Sequence, residues 1–341
     1  MIELVRIPQV APVEIPAPIY LHLRRLTDAG GLYEHAEGDT PRQEHGYCLD
    51  DVARALVVVC RAPAAAELDD LREQYLAFVL AAQEPDGRFH NRRRFDLGWT
   101  DTASVEDCWG RALWGLGTAL ARVPHLRERA LAGFDRAVGL RSPHPRAMAF
   151  AALGAAEVLA AVPGHVGARG LITAAAEVIG RPALGSRWPW PEPRLSYANA
   201  VLPEALLVAG QALDSPGLVA DGLGLLEWLL DRQIRDGHLS VVPTAGWGPG
   251  EPGPGFDQQP IELAALADAC ARAYAMDGHG WWVQGIGLAV AWFLGDNDSR
   301  TPMYDPVSGG GFDGLERFGR NENQGAESTL AVLSTFQRAR R

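Results

Sequence analysis

The chain has 341 residues, 47% of them hydrophobic, and a formal net charge of −11: ample apolar material for a large core, and the wrong sign for a nucleic-acid partner. All 31 basic residues are arginine, so a Walker A phosphate loop, a Schiff-base lysine and pyridoxal chemistry are excluded. No apolar run approaches the ~18–20 residues of a membrane span, and Met1–Arg6 carries neither an apolar signal core nor a cleavage site, which predicts a cytoplasmic protein with no membrane partner.

In chain order, a cluster of polar side chains precedes an alanine- and leucine-rich helix six times. The clusters are His45–Asp51, Ser104–Asp107, His144–Arg146, Tyr197–Glu204, Asp257–Glu262 and Asn321–Glu327. Pro145, Pro203 and Pro260 fall at near-constant spacing in three of these starts, where the missing N–H of proline has no intrahelical acceptor to serve. Amphipathic second helices are predicted between them, at about 17–27, 66–83, 126–139, 166–179, 216–233 and 279–294. In 66–83, Leu68, Leu71, Tyr75, Phe78 and Val79 form one stripe, with Asp69, Asp70, Arg72 and Glu73 toward water. Segment 147–160 is apolar nearly all round, as an enclosed helix must be. Six outer and six inner helices in alternation predict an all-α chain, one (α/α)6 toroid over residues 1–341.

Glycine-containing turns at Gly30–Tyr33, Asp86–Phe89, Asp236–Leu239 and Gly309–Phe312 read as helix stops. The stretches after them, about 84–103, 181–197, 235–257 and 295–324, are too long for plain connections and read as binding loops on the rim that carries the polar helix starts. The dispersed Cys48, Cys60, Cys108 and Cys270 read as reduced, buried thiols. Neither a metal site nor an organic cofactor is expected, and Arg92–Arg94 reads as a solvated loop.

Among the candidate groups, Asp50 and Asp51 open the first inner helix beneath His45 and Tyr47. Adjacent carboxylates at a helix start can separate their pKa values and so supply both acid and base, or they can be a cap and a first-turn charge. Ser104 and Asp107 have capping-box spacing, which leaves Glu106 the freer carboxylate. Glu204 and Glu262 sit in first turns. Tyr197 with Asn199, Asp257 with Gln258 and Gln259, and Asn323 with Gln324 and Glu327 add the donors and acceptors that a polyhydroxylated ligand requires. Arg146 and Arg111 suit a phosphate. Trp99, Trp109, Trp188, Trp190 and Trp247 lie in or beside the rim loops, as stacking platforms for sugar rings or as plugs, whereas Trp228, Trp281, Trp282 and Trp292 read as core.

The segments His45–Leu56, Glu106–Trp114, Ser142–Phe150, Leu195–Leu206, Asp257–Glu262 and Asn323–Leu330 resemble a bacterial family found among carbohydrate-metabolism genes and often labelled glycosyltransferase-associated. The likeness covers residues ~16 to ~338 and implies the six-hairpin glycosidase superfamily and a carbohydrate substrate, without assigning catalytic residues. A local similarity links Tyr47-Cys-Leu-Asp50-Asp51 to retaining α-1,6-mannanases, whose tandem aspartates open an inner helix in a Tyr-x-Asp-Asp context. One extra residue separates tyrosine from the pair here.

These readings predict a glycoside hydrolase acting on a short oligosaccharide or glycoside, with Asp51 and Glu106 as the first catalytic pair and Asp50 and Glu262 as the next. His45, Tyr47, Trp99, Asp107, Arg146, Trp188, Trp190, Tyr197, Asn199, Glu204, Asp257, Gln258, Gln259, Asn323, Gln324 and Glu327 are the expected substrate contacts. The alternatives are a phosphorylase, a sugar epimerase or isomerase working through two of His45, His90, His144 and His238, and a sugar-binding protein without turnover.

Overall fold

Burial, not helix propensity, decides which segments coil here, because each helix has an apolar stripe or shell that only a neighbour can cover. The computed structural model describes residues 14–183 and 185–340; the Met1–Arg6 reading lies outside them. Twelve α-helices are found among the described residues: α1 (Leu21–Arg25), α2 (Leu49–Arg61), α3 (Asp69–Ala81), α4 (Asp107–Arg122), α5 (Arg127–Ala137), α6 (Pro145–Ala161), α7 (Val166–Ile179), α8 (Val201–Ala212), α9 (Pro216–Gln233), α10 (Ile261–Asp277), α11 (Gly280–Phe293) and α12 (Ala326–Ala339). All six polar clusters therefore do precede or open a helix. Pro145 is the first residue of α6, Pro260 immediately precedes α10, and Pro203 lies in the first turn of α8.

Chain contacts divide the protein into two compact units. One comprises the residues up to His22, Pro182–Glu204 and the chain from Asp221 onward; the other comprises Leu23–Arg181 with Ala205–Ala220. In the latter, α2 packs on α3 and α4, and α4 also packs on α5 and α6. In the former, α10, α11 and α12 pack on one another. Among the described residues no helix is long and apolar enough to cross a membrane.

The predicted stripe of α3 is buried from Leu68 to Val79, but Arg72 departs from expectation. Its side chain is buried, with Nε donating to the Val59 carbonyl at 3.0 Å and Nη2 to the Ala62 carbonyl at 3.2 Å. These carbonyls belong to the C-terminal end of α2, where a guanidinium satisfies acceptors that the helix cannot. Helix α1 is shorter than predicted, since the chain turns at Thr27 into a ribbon with Gly31–Leu32. Of the other glycine turns, Asp236–Leu239 likewise closes a short ribbon, while Asp86–Phe89 and Gly309–Phe312 take part in isolated bridges, Phe89 with Gln83 and Gly311 with Tyr304. Asp236 and Gly237 both take positive φ, 46° and 89°, between the paired segments Ile234–Arg235 and His238–Leu239.

The contact between α4 and α6 is built on small residues. A Cβ added at Gly110 would collide with the Ala147 carbonyl, at Gly117 with the Gly154 carbonyl, and at Gly154 with the Leu113 carbonyl. Backbone meets backbone along this seam, so no side chain can rotate away to make room. Gly154→Val is expected to lower unfolding free energy by about 2–3 kcal/mol or more through overpacking, read by urea denaturation; Gly139→Ala, which meets open space, should change little.

Candidate functional site

In the unit that holds α2 and α4, the tandem aspartates take different environments. Asp51 is 3% exposed, and Arg54, one turn further along α2, donates to its Oδ1 at 2.5 Å. Asp50 keeps 22% of its side chain accessible. Its Oδ1 is closed to solvent and faces the Nε of buried Arg111 at 3.4 Å, a pairing of charges without a hydrogen bond; its Oδ2 accepts from Asn91 Nδ2 at 3.1 Å. Burial pushes the Asp50 carboxyl up from its ordinary value; Arg111 and Arg54 oppose the rise, the charge of Asp107 adds to it, and the Asn91 hydrogen bond opposes it. The Arg111 guanidinium is itself held over the Phe150 ring, 4.2 Å from its centroid.

Helix α4 begins beside this group. Ser104 does not close a capping box: Glu106 is the N-cap residue, no side chain caps the helix, and Ser104 Oγ accepts from the Glu106 N–H at 3.3 Å. Glu106 is exposed and Asp107 half-buried in the first turn. Arg111 and Asp107 of α4 thus act on Asp50 of α2, with Glu106 at the exposed N-cap of α4, while Asp51, expected as the leading catalytic acid, points into the protein as the counter-ion of Arg54.

Several expected ligand contacts are buried or already engaged by neighbouring side chains. Tyr47 is buried, stacked on Tyr33 at 4.9 Å, and both hydroxyls donate to Asp28. Trp99 is half-buried; His90 stacks on it at 5.3 Å and the Arg93 guanidinium lies 5.2 Å from its centroid, so its faces are engaged. Arg146 is buried in the first turn of α6. His45 stays exposed, edge-on to His35 at 5.0 Å. Glu34, Cys48 and Asp51 bring three ligand atoms within 4.8 Å of one another, the geometry of a metal trio, but Arg92 already bonds Glu34 and Arg54 bonds Asp51. Two guanidinium groups supply the positive charge there, and burial with the nearby Asp51 and Asp50 holds the Cys48 thiol up, away from the thiolate a metal needs. All four cysteines are free and buried.

In the other unit, Glu262 is 1% exposed and accepts from Asn199 Nδ2 at 3.0 Å; Asn199 is wholly buried. Glu204 is buried with Arg272 Nε 3.7 Å away. Gln258 is a knot of the loops: its Nε2 donates to Asp298 and to the Gly255 carbonyl, and its Oε1 accepts from Val241 N–H and Trp292 Nε1. Its burial removes it from any ligand surface, whereas Asp257 beside it is exposed and Gln259 half-buried. Trp188 meets Trp228 edge-on at 5.3 Å and Trp190 stacks on it at 6.1 Å. Trp190 and Trp247 are buried, and Trp109 in its own unit is fully so; these rings plug the loops. Gln324 is buried with its carbonyl bonded to His22 Nε2; Tyr197 is exposed, and Asn323 and Glu327 are half-buried.

Four participants had no signal strong enough to be singled out. Arg54 stands at i+3 from Asp51, a spacing that permits the pair without requiring it. Asn91 and Asp101 lie in the 84–103 loop, where no periodicity aims a side chain. Asp298, in the last of the long loops, collects His238 at 3.0 Å, Ser240 at 2.6 Å and Gln258 at 2.5 Å. Burial raises its carboxyl, but these three donors outweigh that and hold it below its ordinary 3.8.

No protein-family model matches the sequence, and no curated protein does either. Solved structures match over nearly the whole chain. A cellobiose 2-epimerase from Bacillus thermoamylovorans superposes with a TM-score of 0.70 at 11% identity, covering 94% of this chain and 96% of that one. A D-mannose isomerase gives 0.67 at 11% identity, covering 92% and 94%. A GH76 α-mannanase from Bacteroides thetaiotaomicron gives 0.61 at 12% identity, covering 94% and 92%. The chain therefore has the all-α, (α/α)6 toroid fold class; at such identities the likeness is one of fold.

Asp51→Ala removes the buried carboxylate partner of Arg54, and an expected loss of about 3 kcal/mol is measurable by chemical denaturation; Glu106→Ala at its exposed position should stay within about 0.5 kcal/mol. For Asp298 the sign is fixed by its lowered carboxyl: its stabilisation is complete above 3.8 and is lost as pH falls below that value. Asp298→Asn should flatten the acid arm of a melting-temperature profile.

Proposed function

We propose that the protein is a carbohydrate-processing enzyme that hydrolyses a short oligosaccharide or glycoside, with Asp50 as proton donor and Glu106 as the second carboxylate. The observation that carries this reading is the contrast at the paired helix starts. Asp50 is a carboxyl raised by burial yet still partly accessible, and Glu106 is an exposed carboxylate on the adjoining helix. A carboxyl raised by burial on one helix start, with a second carboxylate on the adjoining helix, suits the division of labour that glycosidic cleavage uses. Asp50 passes its proton from Oδ2 to the departing glycosidic oxygen as the C–O bond breaks. Glu106 either attacks the anomeric carbon or takes a proton from the water that does so, and water completes the hydrolysis. Asp107 and Arg111 bracket Asp50 with opposite charges, so its proton affinity can respond to small changes in geometry. The resemblance to the bacterial six-hairpin family, the structural likeness to an α-mannanase and a cytoplasmic setting compatible with four free thiols accord with this reading.

Epimerisation or isomerisation is the second reading, favoured by the likeness to a cellobiose 2-epimerase and a D-mannose isomerase. His45 with His35 is the accessible histidine pair that it would employ. His238 is poorly suited, because its Nδ1 is closed to solvent and its Nε2 is committed to Asp298.

Incubation with gluco- and manno-configured disaccharides and aryl glycosides, followed by chromatography of the products, separates the two. Hydrolysis releases monosaccharide or aglycone, and isomerisation conserves mass. Asp50→Asn and Glu106→Gln should each lower kcat by about 100-fold or more with unchanged melting temperature. Full turnover in both variants, with loss in His45→Ala, would replace the hydrolytic reading with the isomerase one; sugar binding with no product under any condition would leave a binding protein.

A further inference from the structure

We propose that Asn91, ordered by Asp101, is the positioning residue for Asp50: the loop between α3 and α4 supplies the N-terminal cap that α2 lacks and uses the same carboxamide to aim the aspartate. This inference rests on the reading of Asp50 as proton donor.

The start of α2 poses a problem of accounting. Its N-cap residue is Cys48, whose side chain makes no capping hydrogen bond, yet the first N–H groups of a helix need acceptors from outside it. Asn91 provides two. Its backbone carbonyl accepts from the Leu49 N–H at 2.9 Å, and its side-chain Oδ1 accepts from the Asp50 N–H at 3.1 Å, with the Cys48 thiol also directed at that oxygen at 3.4 Å. Because a peptide N–H can only donate, the Asn91 oxygen must face it. The amide orientation is thereby fixed, and Nδ2 is left to donate to Asp50 Oδ2 at 3.1 Å. With Asp50 Oδ1 turned to Arg111, Oδ2 is the oxygen through which the carboxyl meets a ligand, and Asn91 is the residue that grips it.

Asn91 is in turn held from behind. Asp101 Oδ2 accepts from the Asn91 N–H at 2.6 Å and Oδ1 from the Arg92 N–H at 3.1 Å. The Asp101 carbonyl meets His90 Nδ1 at 2.9 Å, and the other ring nitrogen of His90 meets Glu84 at 2.9 Å. The adjoining residues Arg92–Arg93 pair with Tyr47–Cys48, which lead directly into α2. Loop and helix start therefore form one hydrogen-bonded body, and a carboxyl held at both oxygens has few orientations left.

A cap and an aiming device are separable by experiment. Asn91→Asp keeps the acceptor for the Asp50 N–H but replaces the donor on Oδ2 by a second carboxylate; Asn91→Ala removes both. The Asp50 carboxyl is followed by 13C NMR titration in the full chain, alongside thermal melts and the pH profile of kcat/KM. Both variants are expected to move the Asp50 midpoint upward by about one pH unit or more, the worth of a hydrogen bond to a charged group. The alkaline limb of kcat/KM should move with it, and Asn91→Asp should retain more thermal stability than Asn91→Ala. A midpoint that stays put in both variants, while Asp50→Asn is inactive, overturns this inference and leaves the proton-donor reading intact. A midpoint that moves while Asp50→Asn turns over normally removes the proton-donor reading and reduces Asn91 to a cap.

Discussion

Helix α2 is rotated so that the Asp51–Arg54 pair is buried, and the chemistry proposed for this protein depends on that rotation. Successive residues on a helix point about 100° apart. Once the Asp51 carboxylate is buried against a guanidinium on its own helix, Asp50 is turned out of the interior, toward Arg111, Asn91 and the start of α4. Two adjacent, identical side chains thus occupy different environments. The worth of the ion pair lies less in net stability, which desolvation largely offsets, than in the specificity of a single helix orientation.

The all-arginine composition runs through the same region. Arg54, Arg72 and Arg111 are buried or nearly so, and each meets an aspartate while its neighbourhood supplies further acceptors or an aromatic face. A planar fork can satisfy carbonyls, a carboxylate and a ring face together, which a lysine ammonium cannot. Buried guanidinium groups at helix ends let the first turns of α2 and α4 carry Asp50, Asp51 and Asp107 without excessive electrostatic cost. They also keep Asp50 from rising as far as burial alone would drive it.

Within each unit, the loops behave as structure more than as a binding surface. Trp188 and Trp190 clasp Trp228, Trp99 is layered with His90 and Arg93, and Gln258 ties four partners. Tryptophan and glutamine attract a ligand reading from sequence because their chemistry suits sugars, and the same chemistry suits the sealing of long, glycine-rich loops. Of the expected site residues, Glu106, His45, Tyr197 and Asp257 are exposed, and Asp50, Asp107, Gln259, Asn323 and Glu327 are reachable in part.

Local periodicity and the polar punctuation of helix starts determined by themselves the twelve-helix pattern, the inner character of α6 and the burial of the α3 stripe, because a helix exposes its packing requirement every three or four residues. The (α/α)6 class followed from that alternation. Which carboxylate is open and which is a counter-ion was decided only in three dimensions. Asp50 and Asp51 are chemically equal neighbours in the chain, and the groups that distinguish them, Asn91, Arg111 and Asp107, arrive from other segments. Hydrogen bonds between distant residues leave no period in a sequence, so the cap supplied by Asn91 and the burial of Glu262 against Asn199 could be read only once the helices were packed.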